Sequence, residues 1–142
     1  MKRRPAKRNG RVNIGVTVFI IKECTLLLGL RKNIVGHNLW GLPGGRLEEN
    51  ESIITCGRRE LFEETGLTVV VLQVVNVLDD PREDGHWLHY GLRAIYPSNK
   101  RPERREPEKC AEWKFFPLEA LPPNIFDPHK RLINALLKTV PA

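Results

Sequence analysis

A chain of 142 residues, 41% of them hydrophobic, is long enough to bury the core of one domain, and we expect a single domain. Its longest apolar runs are far shorter than a membrane span, and the N-terminus lacks the apolar core of a secretory signal, so we expect a soluble, cytoplasmic protein and no membrane partner. Three cysteines, an odd number without a CxxC pair, argue against a disulfide framework and against a zinc site.

The net charge of +6 is concentrated at the N-terminus. Residues 1–11 contain six basic residues and no acidic one, and the other 17 basic residues are balanced by 17 acidic ones. We predict a disordered basic tail over residues 1–11 and a folded domain over residues 12–142. Such a tail is usually solvated, and the sharper hypotheses are contact with nucleic acid such as RNA, an anionic membrane surface or a targeting receptor. A homodimer is kept as a hypothesis for the folded part.

The folded part begins with a predicted β-hairpin. Residues 12–21 alternate in hydrophobicity and are rich in β-branched side chains, Lys22-Glu23 turns the chain, and residues 25–30 form the second strand. Residues 31–38 are largely polar and predict a loop. This loop returns the basic residue Arg31 to the neighbourhood of the next turn, where it could hold a phosphate.

A glycine-rich turn precedes the first predicted helix. In Pro43-Gly44-Gly45 the absence of side chains lets backbone groups approach a metal ion or a phosphate. Residues 52–65 then predict a helix, which Gly66 ends as a C-cap. The turn and the helix are close enough in sequence to form one site.

Three glutamates define one face of that helix. Glu60, Glu63 and Glu64 stand at i, i+3 and i+4, so their carboxylates project from the same side. Like charges at this spacing repel one another, and Mg²⁺ takes oxygen ligands, so a metal site is one interpretation. The other interpretation is a solvated acidic face paired with Arg58 and Arg59.

The second half of the chain predicts more strands and one helix. In order, the pattern predicts a mostly buried strand over residues 67–78, a turn at Asp79-Asp80-Pro81, a strand over residues 86–96, a charged, flexible loop over residues 98–109, a strand over residues 110–116, a helical turn over residues 117–122 and a helix ending near residue 138. That helix is predicted to have Asp127 as N-cap, Pro128 as its first residue, and Leu132, Ile133, Leu136 and Leu137 on its inner face. The fold class is therefore mixed α/β (α+β), with a sheet between helices.

Nine specified positions between Gly45 and Leu67 match a family signature. They read GRLEENESIITCGRRELFEETGL, with Gly, Glu, Arg-Glu-Leu, Glu-Glu and Gly-Leu at the required spacing. The chain therefore resembles the Nudix hydrolases. The segment LWGLPGG before this stretch and the segment EPEK with Trp113 after it extend the resemblance over about residues 12–137.

The resemblance implies a Mg²⁺-dependent hydrolase, with Mn²⁺ as an alternative ion, built on a mixed sheet sandwiched between helices. It implies metal ligands at Glu60, Glu64, the carbonyl of Gly44 and a glutamate of the EPEK segment, where Glu106 is preferred to Glu108. Glu63 is either a further ligand or the general base. Arg59 is expected to orient a carboxylate within the catalytic group, and Glu51 is expected to support the start of the helix.

The resemblance also implies where the substrate binds. It places Arg31 and the backbone at Gly45 beside the phosphates, and an aromatic ring against the base. Trp40 is the first candidate for that ring, although Trp40, Trp87 and Trp113 are equally suited to the core. His86 and His89 are expected to be structural or exposed more often than in contact with substrate.

The family acts on nucleoside diphosphates linked to another group. The short chain and the LWGLPGG and EPEK segments are most similar to its nucleoside-triphosphate pyrophosphohydrolases, which release a monophosphate and pyrophosphate and sanitise or balance the nucleotide pool. Alternatives are an ADP-sugar, a dinucleotide or capped RNA as substrate. A non-catalytic module that binds nucleotides or RNA is the alternative from another class, and the complete set of glutamates argues against it.

Overall fold

The structure resolves the elements of the domain but not its N-terminal end. A computed structural model describes residues 12–70, 72–83, 85–96 and 100–139. The elements in chain order are β1 (Val12–Lys22), β2 (Thr25–Arg31), β3 (Trp40–Gly41), β4 (Gly44–Arg46), α1 (Ile53–Thr65), β5 (Leu72–Arg82), β6 (Gly85–Ile95), β7 (Cys110–Pro117) and α2 (Asp127–Thr139). The basic tail predicted over residues 1–11 lies outside the described residues.

One mixed sheet holds the seven strands found in the described ranges. Its main path runs β3-β2-β1-β6-β5, while β4 pairs with β1 and β7 pairs with β2. β1 and β6 are parallel, and the other pairs are antiparallel. β1 pairs with β2 beside their shared turn, at Ile21 and Lys22, and with β4 farther back, at Gly15–Thr17. This division brings the glycine-rich strand β4 into the sheet.

Side chains of β1 alternate between the two faces of the sheet. Val18 and Ile20 pack with Leu61 of α1 on one face, whereas Phe19 packs with Leu132 of α2 on the other. Each of these side chains is at most 1% exposed, and burial of a side chain of this size contributes roughly 1.5–3 kcal/mol. The two helices therefore cover opposite faces, which confirms the predicted α+β fold with a sheet between helices.

Caps fix the length and the rotational phase of α1. The Ser52 side chain accepts a 3.0 Å hydrogen bond from the Thr55 amide, as an N-cap does. At the other end, Gly66 adopts a left-handed φ of 76° and its amide donates to the Phe62 carbonyl over 2.8 Å. The predicted helix and its C-cap are confirmed to within one residue.

The prediction for the segment after α1 was wrong. β5 begins at Leu72 and continues through Asp79, Asp80 and Pro81 to Arg82, where a turn was expected. Asp80 can lie in the strand, only 4% exposed, because three cationic or imidazole groups bind its carboxylate. Pro81 is tolerated because β5 ends the main path of the sheet, where one side of the strand needs no ladder hydrogen bonds.

The start of α2 also differs from the prediction. The Lys130 amide donates to the Phe126 carbonyl over 2.9 Å, so Phe126 occupies the cap position and Asp127 is already helical. The expected inner face is confirmed at Leu132, Ile133 and Leu136, which are buried. Neither α1 nor α2, nor any other helix in the described ranges, is long and apolar enough to cross a bilayer.

The other predicted strands are confirmed as β1, β2, β6 and β7, with ends shifted by one residue or two. The described part of the charged segment, residues 100–109, is loop. Residues 117–122 form a turn rather than a helix, closed by a 3.0 Å hydrogen bond from the Ala120 amide to the Pro117 carbonyl.

Candidate active site

The glycines of β4 allow close contact between the sheet and α1. A β-carbon at Gly45 would lie 2.3 Å from Cδ of Glu60, and a β-carbon at Gly44 would lie 2.1 Å from the carbonyl oxygen of Val16. A side chain at Gly45 would therefore collide with a carboxylate, and one at Gly44 would collide with the backbone of β1. The predicted glycine turn is thus a strand that leaves room for the acidic face of the helix.

Glu64 lies at the centre of the acidic face. Its Oε1 accepts a 2.9 Å hydrogen bond from the Gly44 amide. Burial raises the pKa of Glu64 well above its usual range, and the Gly44 amide and the charge of Arg31 only partly oppose this. Because burial disfavours the ionised form, a nearby cation would stabilise the carboxylate.

Arg59 joins the glutamates of the signature to one another. It makes two hydrogen bonds to Glu51, of 2.6 and 3.0 Å, and its Nη1 donates to Glu60 over 2.9 Å and to Glu63 over 3.2 Å. The bonds from Arg59 are the main cause that lowers the pKa of Glu51 to about 2. Glu51 in turn accepts from the Glu48 amide over 3.1 Å, which ties the loop before α1 to this group.

Glu60 and Glu63 differ in their surroundings. The Glu60 side chain is 15% exposed, and burial raises its pKa, with Arg59 opposing that rise. The Glu63 side chain is 47% exposed and has its contact with Arg59 at the outer edge of the group. Glu63 is thus the member of the triplet that water reaches most easily.

The structure distinguishes Glu106 from Glu108. The negative charge of Glu106 contributes to the raised pKa of both Glu60 and Glu64, so Glu106 lies on the side of the loop that approaches α1. Glu106 is half-buried, whereas Glu108 is exposed and its carbonyl accepts a 3.1 Å hydrogen bond from Asn33. The loop therefore presents Glu106 to the acidic face.

The donor set suits a hard divalent cation in its chemistry. Glu60, Glu64 and Glu106 offer carboxylate oxygens, the ligand type that Mg²⁺ and Mn²⁺ prefer. As the side chains stand, no three acidic, cysteine or histidine groups among the described residues are arranged to hold an ion. Glu64 is bound to the Gly44 amide and Glu60 to Arg59 instead. Two covered carboxylates with raised pKa values remain the best-matched ligands in this part of the fold.

Arg31 lies at the end of β2, where the sequence predicts a phosphate contact. Its Nε donates to the Val35 carbonyl over 2.7 Å, and its guanidinium lies 4.2 Å from the centroid of the Phe126 ring. Burial lowers its pKa, and the charge of Glu64 opposes that change. No carboxylate of the described residues forms an ion pair with Arg31. This partly buried cation can therefore receive an anion.

The three tryptophans occupy different packing sites. The Trp40 ring meets the Phe116 ring edge-on, with centroids 4.8 Å apart, and packs against the core beside α2. Trp87 stacks on His89, with centroids 5.7 Å apart, and Trp113 lies directly under Gly29. These contacts account for all three rings without a ligand, so the predicted contact of Trp40 with a base stays a prediction.

His129 was missed by sequence reasoning. It is 6% exposed, and its Nδ1 accepts a 3.0 Å hydrogen bond from the Leu42 amide. Burial lowers its pKa well below the usual range, so the ring is neutral and links α2 to the segment before β4. The signal for it was the helical spacing of three and four residues to Leu132 and Ile133, which places it on the buried face.

Comparison with known proteins identifies the family. The profile of the NUDIX domain matches residues 11–136. The chain belongs to the Nudix hydrolase family. The resemblance read from the signature is thus confirmed, and the glycines and glutamates described above belong to the Nudix signature of this chain.

Relatives of this Nudix chain differ in their named substrates. The chain is 31% identical over 129 residues to an ADP-ribose pyrophosphatase of Methanocaldococcus jannaschii, a match that covers 88% of the chain and 73% of that protein. It is 38% identical over 58 residues to an oxidized purine nucleoside triphosphate hydrolase of Danio rerio, covering 41% of the chain and 37% of the fish protein. The match thus spans less than half of the fish protein's length.

A solved Nudix structure has the same fold. The crystal structure of a MutT NUDIX hydrolase from Burkholderia pseudomallei superposes with a TM-score of 0.80 at 25% identity, covering 87% of this chain and 97% of that one. The arrangement of sheet and helices is therefore that of the family.

Proposed function

We propose that this protein hydrolyses a phosphoanhydride bond of a nucleoside triphosphate with Mg²⁺, giving a nucleoside monophosphate and pyrophosphate. The observation that carries the proposal is the buried Glu64 carboxylate, held by the Gly44 amide next to Glu60. A phosphoanhydride resists attack because its anionic oxygens repel the nucleophile. A site that hydrolyses it must supply compensating charge and a base for water.

The acidic face provides ligands and a candidate base. We assign Glu60, Glu64, Glu106 and the Gly44 carbonyl to the divalent ion. When bound, such an ion would neutralise phosphate oxygens and lower the pKa of water. Glu63, the most exposed of the triplet, is either a further ligand or the general base. Arg59 holds Glu60 and Glu63 in place through hydrogen bonds of 2.9 and 3.2 Å.

Substrate contacts follow from the groups around the acidic face. Arg31 would bind a phosphate, because it is a partly buried cation without an ion-pair partner among the described residues. The amide-lined strand at Gly45 gives the phosphate chain close access to the backbone. Trp40 is kept as the proposed contact for the base. We also propose that the enzyme acts in the cytoplasm, on a nucleotide pool that it sanitises or balances.

A nucleoside diphosphate sugar is the second candidate substrate. The relative named as an ADP-ribose pyrophosphatase matches 88% of the chain, twice the share that the triphosphate hydrolase of zebrafish matches. Both reactions break a phosphoanhydride and would use the same carboxylates. The products differ, because ADP-ribose would give AMP and ribose 5-phosphate without pyrophosphate.

One assay tests both candidates. The purified full chain is incubated with mixed nucleoside triphosphates or with ADP-ribose, in Mg²⁺, in Mn²⁺ or in chelator, and products are separated by ion-exchange chromatography. We expect metal-dependent release of pyrophosphate from a triphosphate. Metal-dependent AMP and ribose 5-phosphate without pyrophosphate would favour the second candidate. The absence of metal-dependent products from either substrate class would contradict the proposal.

A further inference from the structure

The loop that carries Glu106 is attached to the C-terminal turn of α1. The Glu103 amide donates to the Thr65 carbonyl over 2.8 Å, and the Arg105 amide donates to the Glu64 carbonyl over 3.4 Å. Carbonyls in the last turn of a helix lack partners within the helix, and the loop supplies them. The second bond is longer than usual, so the backbone alone holds Arg105 weakly.

The Arg105 side chain makes a second attachment. Its guanidinium carbon lies 4.7 Å from the centroid of the Phe62 ring, and its Nε donates to Glu103 over 3.0 Å. Phe62 is 44% exposed, so core packing does not account for its ring. Gly66 leaves space for this arrangement, because a β-carbon there would lie 2.9 Å from Nε of Arg105.

We propose that Arg105, stacked on Phe62, is a positioning residue that holds Glu106 beside Glu60 and Glu64. The inference rests on the proposed function, because it takes Glu106 to be a metal ligand. On the other side of Glu106, its carbonyl accepts hydrogen bonds of 2.9 and 3.0 Å from the amides of Lys109 and Cys110, where β7 begins.

Glu106 is therefore held from both sides of the loop. Arg105 fastens the preceding backbone to α1, the helix that carries Glu60 and Glu64, and the following backbone is fastened to the sheet through β7. Without the stack, the loop would keep only the second anchor. Contacts that orient a ligand change metal affinity even though they do not touch the metal.

Metal affinity in the absence of substrate is the decisive readout. The variants are Arg105→Ala, Phe62→Ala and the double variant. Arg104→Ala is the matched control, because this neighbouring arginine contacts the Ala111 carbonyl rather than α1. We expect the Mn²⁺ dissociation constant, measured by calorimetry on the full chain, to rise about three- to tenfold in each of the three variants. The double variant should be no weaker than the single ones, and Arg104→Ala should match wild type.

Two further measurements separate positioning from folding. The rate at saturating Mg²⁺ should stay within about twofold of wild type, because the ion, once bound, restores the arrangement of its ligands. Arg105→Lys, which keeps a cation over the ring, should recover part of the affinity. A thermal melt in chelator should show each variant folded.

The outcomes that overturn the inference are distinct. Unchanged Mn²⁺ affinity in Arg105→Ala, with or without a lower melting temperature, would make the stack purely structural, and additive losses in the double variant would show that Arg105 and Phe62 act independently. Wild-type protein that binds Mn²⁺ but hydrolyses no nucleotide would contradict only the proposed function, since the affinity comparison needs no substrate. Failure of wild type to bind Mn²⁺ would overturn both.

Discussion

The Gly44 amide and the Glu64 carboxylate are joined by a 2.9 Å hydrogen bond that connects β4 with the last turn of α1. This bond fixes the spacing between the glycine-rich strand and the acidic face. It also leaves Glu64 as a buried carboxylate that the surrounding protein only partly compensates, since its pKa remains raised. The position is therefore favourable for a cation and unfavourable for an uncompensated charge.

Replacement of Glu64 by Gln should abolish hydrolysis and leave the fold intact. Gln keeps the shape but loses the charge that we assign to metal binding, and the loss of an ion that activates water and neutralises phosphate should cost about a thousandfold in rate. Because burial already disfavours the Glu64 charge, the metal-free variant should melt no lower than wild type. Pyrophosphate release in saturating Mg²⁺ and a thermal melt in chelator measure the two effects.

The control for this variant is Glu119→Gln, which removes a carboxylate from an exposed position in the turn after β7. It should retain wild-type activity. If Glu64→Gln kept more than about a tenth of the wild-type rate, the carboxylate would not be a principal metal ligand.

Replacement of Glu106 by Gln should weaken the dependence on Mg²⁺ more than the same change at Glu108. Glu106 raises the pKa of both Glu60 and Glu64, whereas Glu108 is exposed. Titration of activity against Mg²⁺ concentration compares the two variants directly. Equal effects would remove the loop from the metal site, and a reversed order would assign the ligand to Glu108.

Local sequence signals predicted the parts of the site that lie close together in the chain. The caps Ser52 and Gly66 determined α1, and helical spacing then placed Glu60 and Glu64 on one face. The choice of Glu106 could not be made from sequence, because a loop has no fixed periodicity. Its approach to α1 depends on the contact of Arg105 with Phe62, which joins segments 43 residues apart in the chain.

The failure at β5 has the same origin. Asp79-Asp80-Pro81 has the composition of a turn, yet Asp80 is stabilised inside a strand by Arg131, which lies 51 residues away in the chain. His129 was missed for a related reason, since the Leu42 amide that it binds lies 87 residues away. Long-range partners for polar groups are invisible to local patterns.

Replacement of Asp80 by Asn should destabilise the protein in a pH-dependent way. Burial opposes the charge of Asp80, but hydrogen bonds from Arg131, His89 and Arg82 outweigh it and lower the pKa of Asp80 from 3.8 to about 2. A lowered carboxyl pKa stabilises the fold above pH 3.8 and loses that contribution as the pH falls toward 2. We expect a loss of about 2 kcal/mol at neutral pH, measured by urea unfolding.

The matched control is Asp79→Asn, because the Asp79 side chain is 70% exposed and pairs only with the exposed His86 among the described residues. It should change the unfolding free energy by less than about 0.5 kcal/mol. The difference between Asp80→Asn and wild type should shrink as the pH falls from 4 toward 2. A difference that stays constant over this range would show that packing, not charge, makes Asp80 important.

Removal of residues 1–11 should leave turnover of a free nucleotide nearly unchanged. The excess positive charge lies in this segment, and the site described above is built from residues beyond it. Steady-state kcat/KM of the truncated and full-length proteins tests this, and a loss of tenfold or more, about 1.4 kcal/mol, would place the segment in the active site. A loss confined to RNA, with a weaker dependence on salt, would support the capped-RNA alternative.

Replacement of Gly45 and Gly44 by Ala should have opposite consequences. A β-carbon at Gly45 would meet the Glu60 carboxylate at 2.3 Å, and since that group ends a flexible side chain, Glu60 can move away while the backbone stays in place. A β-carbon at Gly44 would meet the Val16 carbonyl at 2.1 Å, and backbone cannot move away so easily. Gly44 also has a φ of 155°, which an alanine adopts only with strain.

Gly45→Ala is therefore expected to remain folded and to lose activity, because it displaces Glu60 from its place beside Glu64. The loss should be about ten- to a hundredfold, with weaker Mg²⁺ activation and a melting temperature close to that of wild type. Gly44→Ala should instead lower the melting temperature, because its collision is with β1. Thermal melts and Mg²⁺ titrations of both variants distinguish the cases. If Gly45→Ala kept full activity, the position of Glu60 in this structure would not be the one that hydrolysis requires.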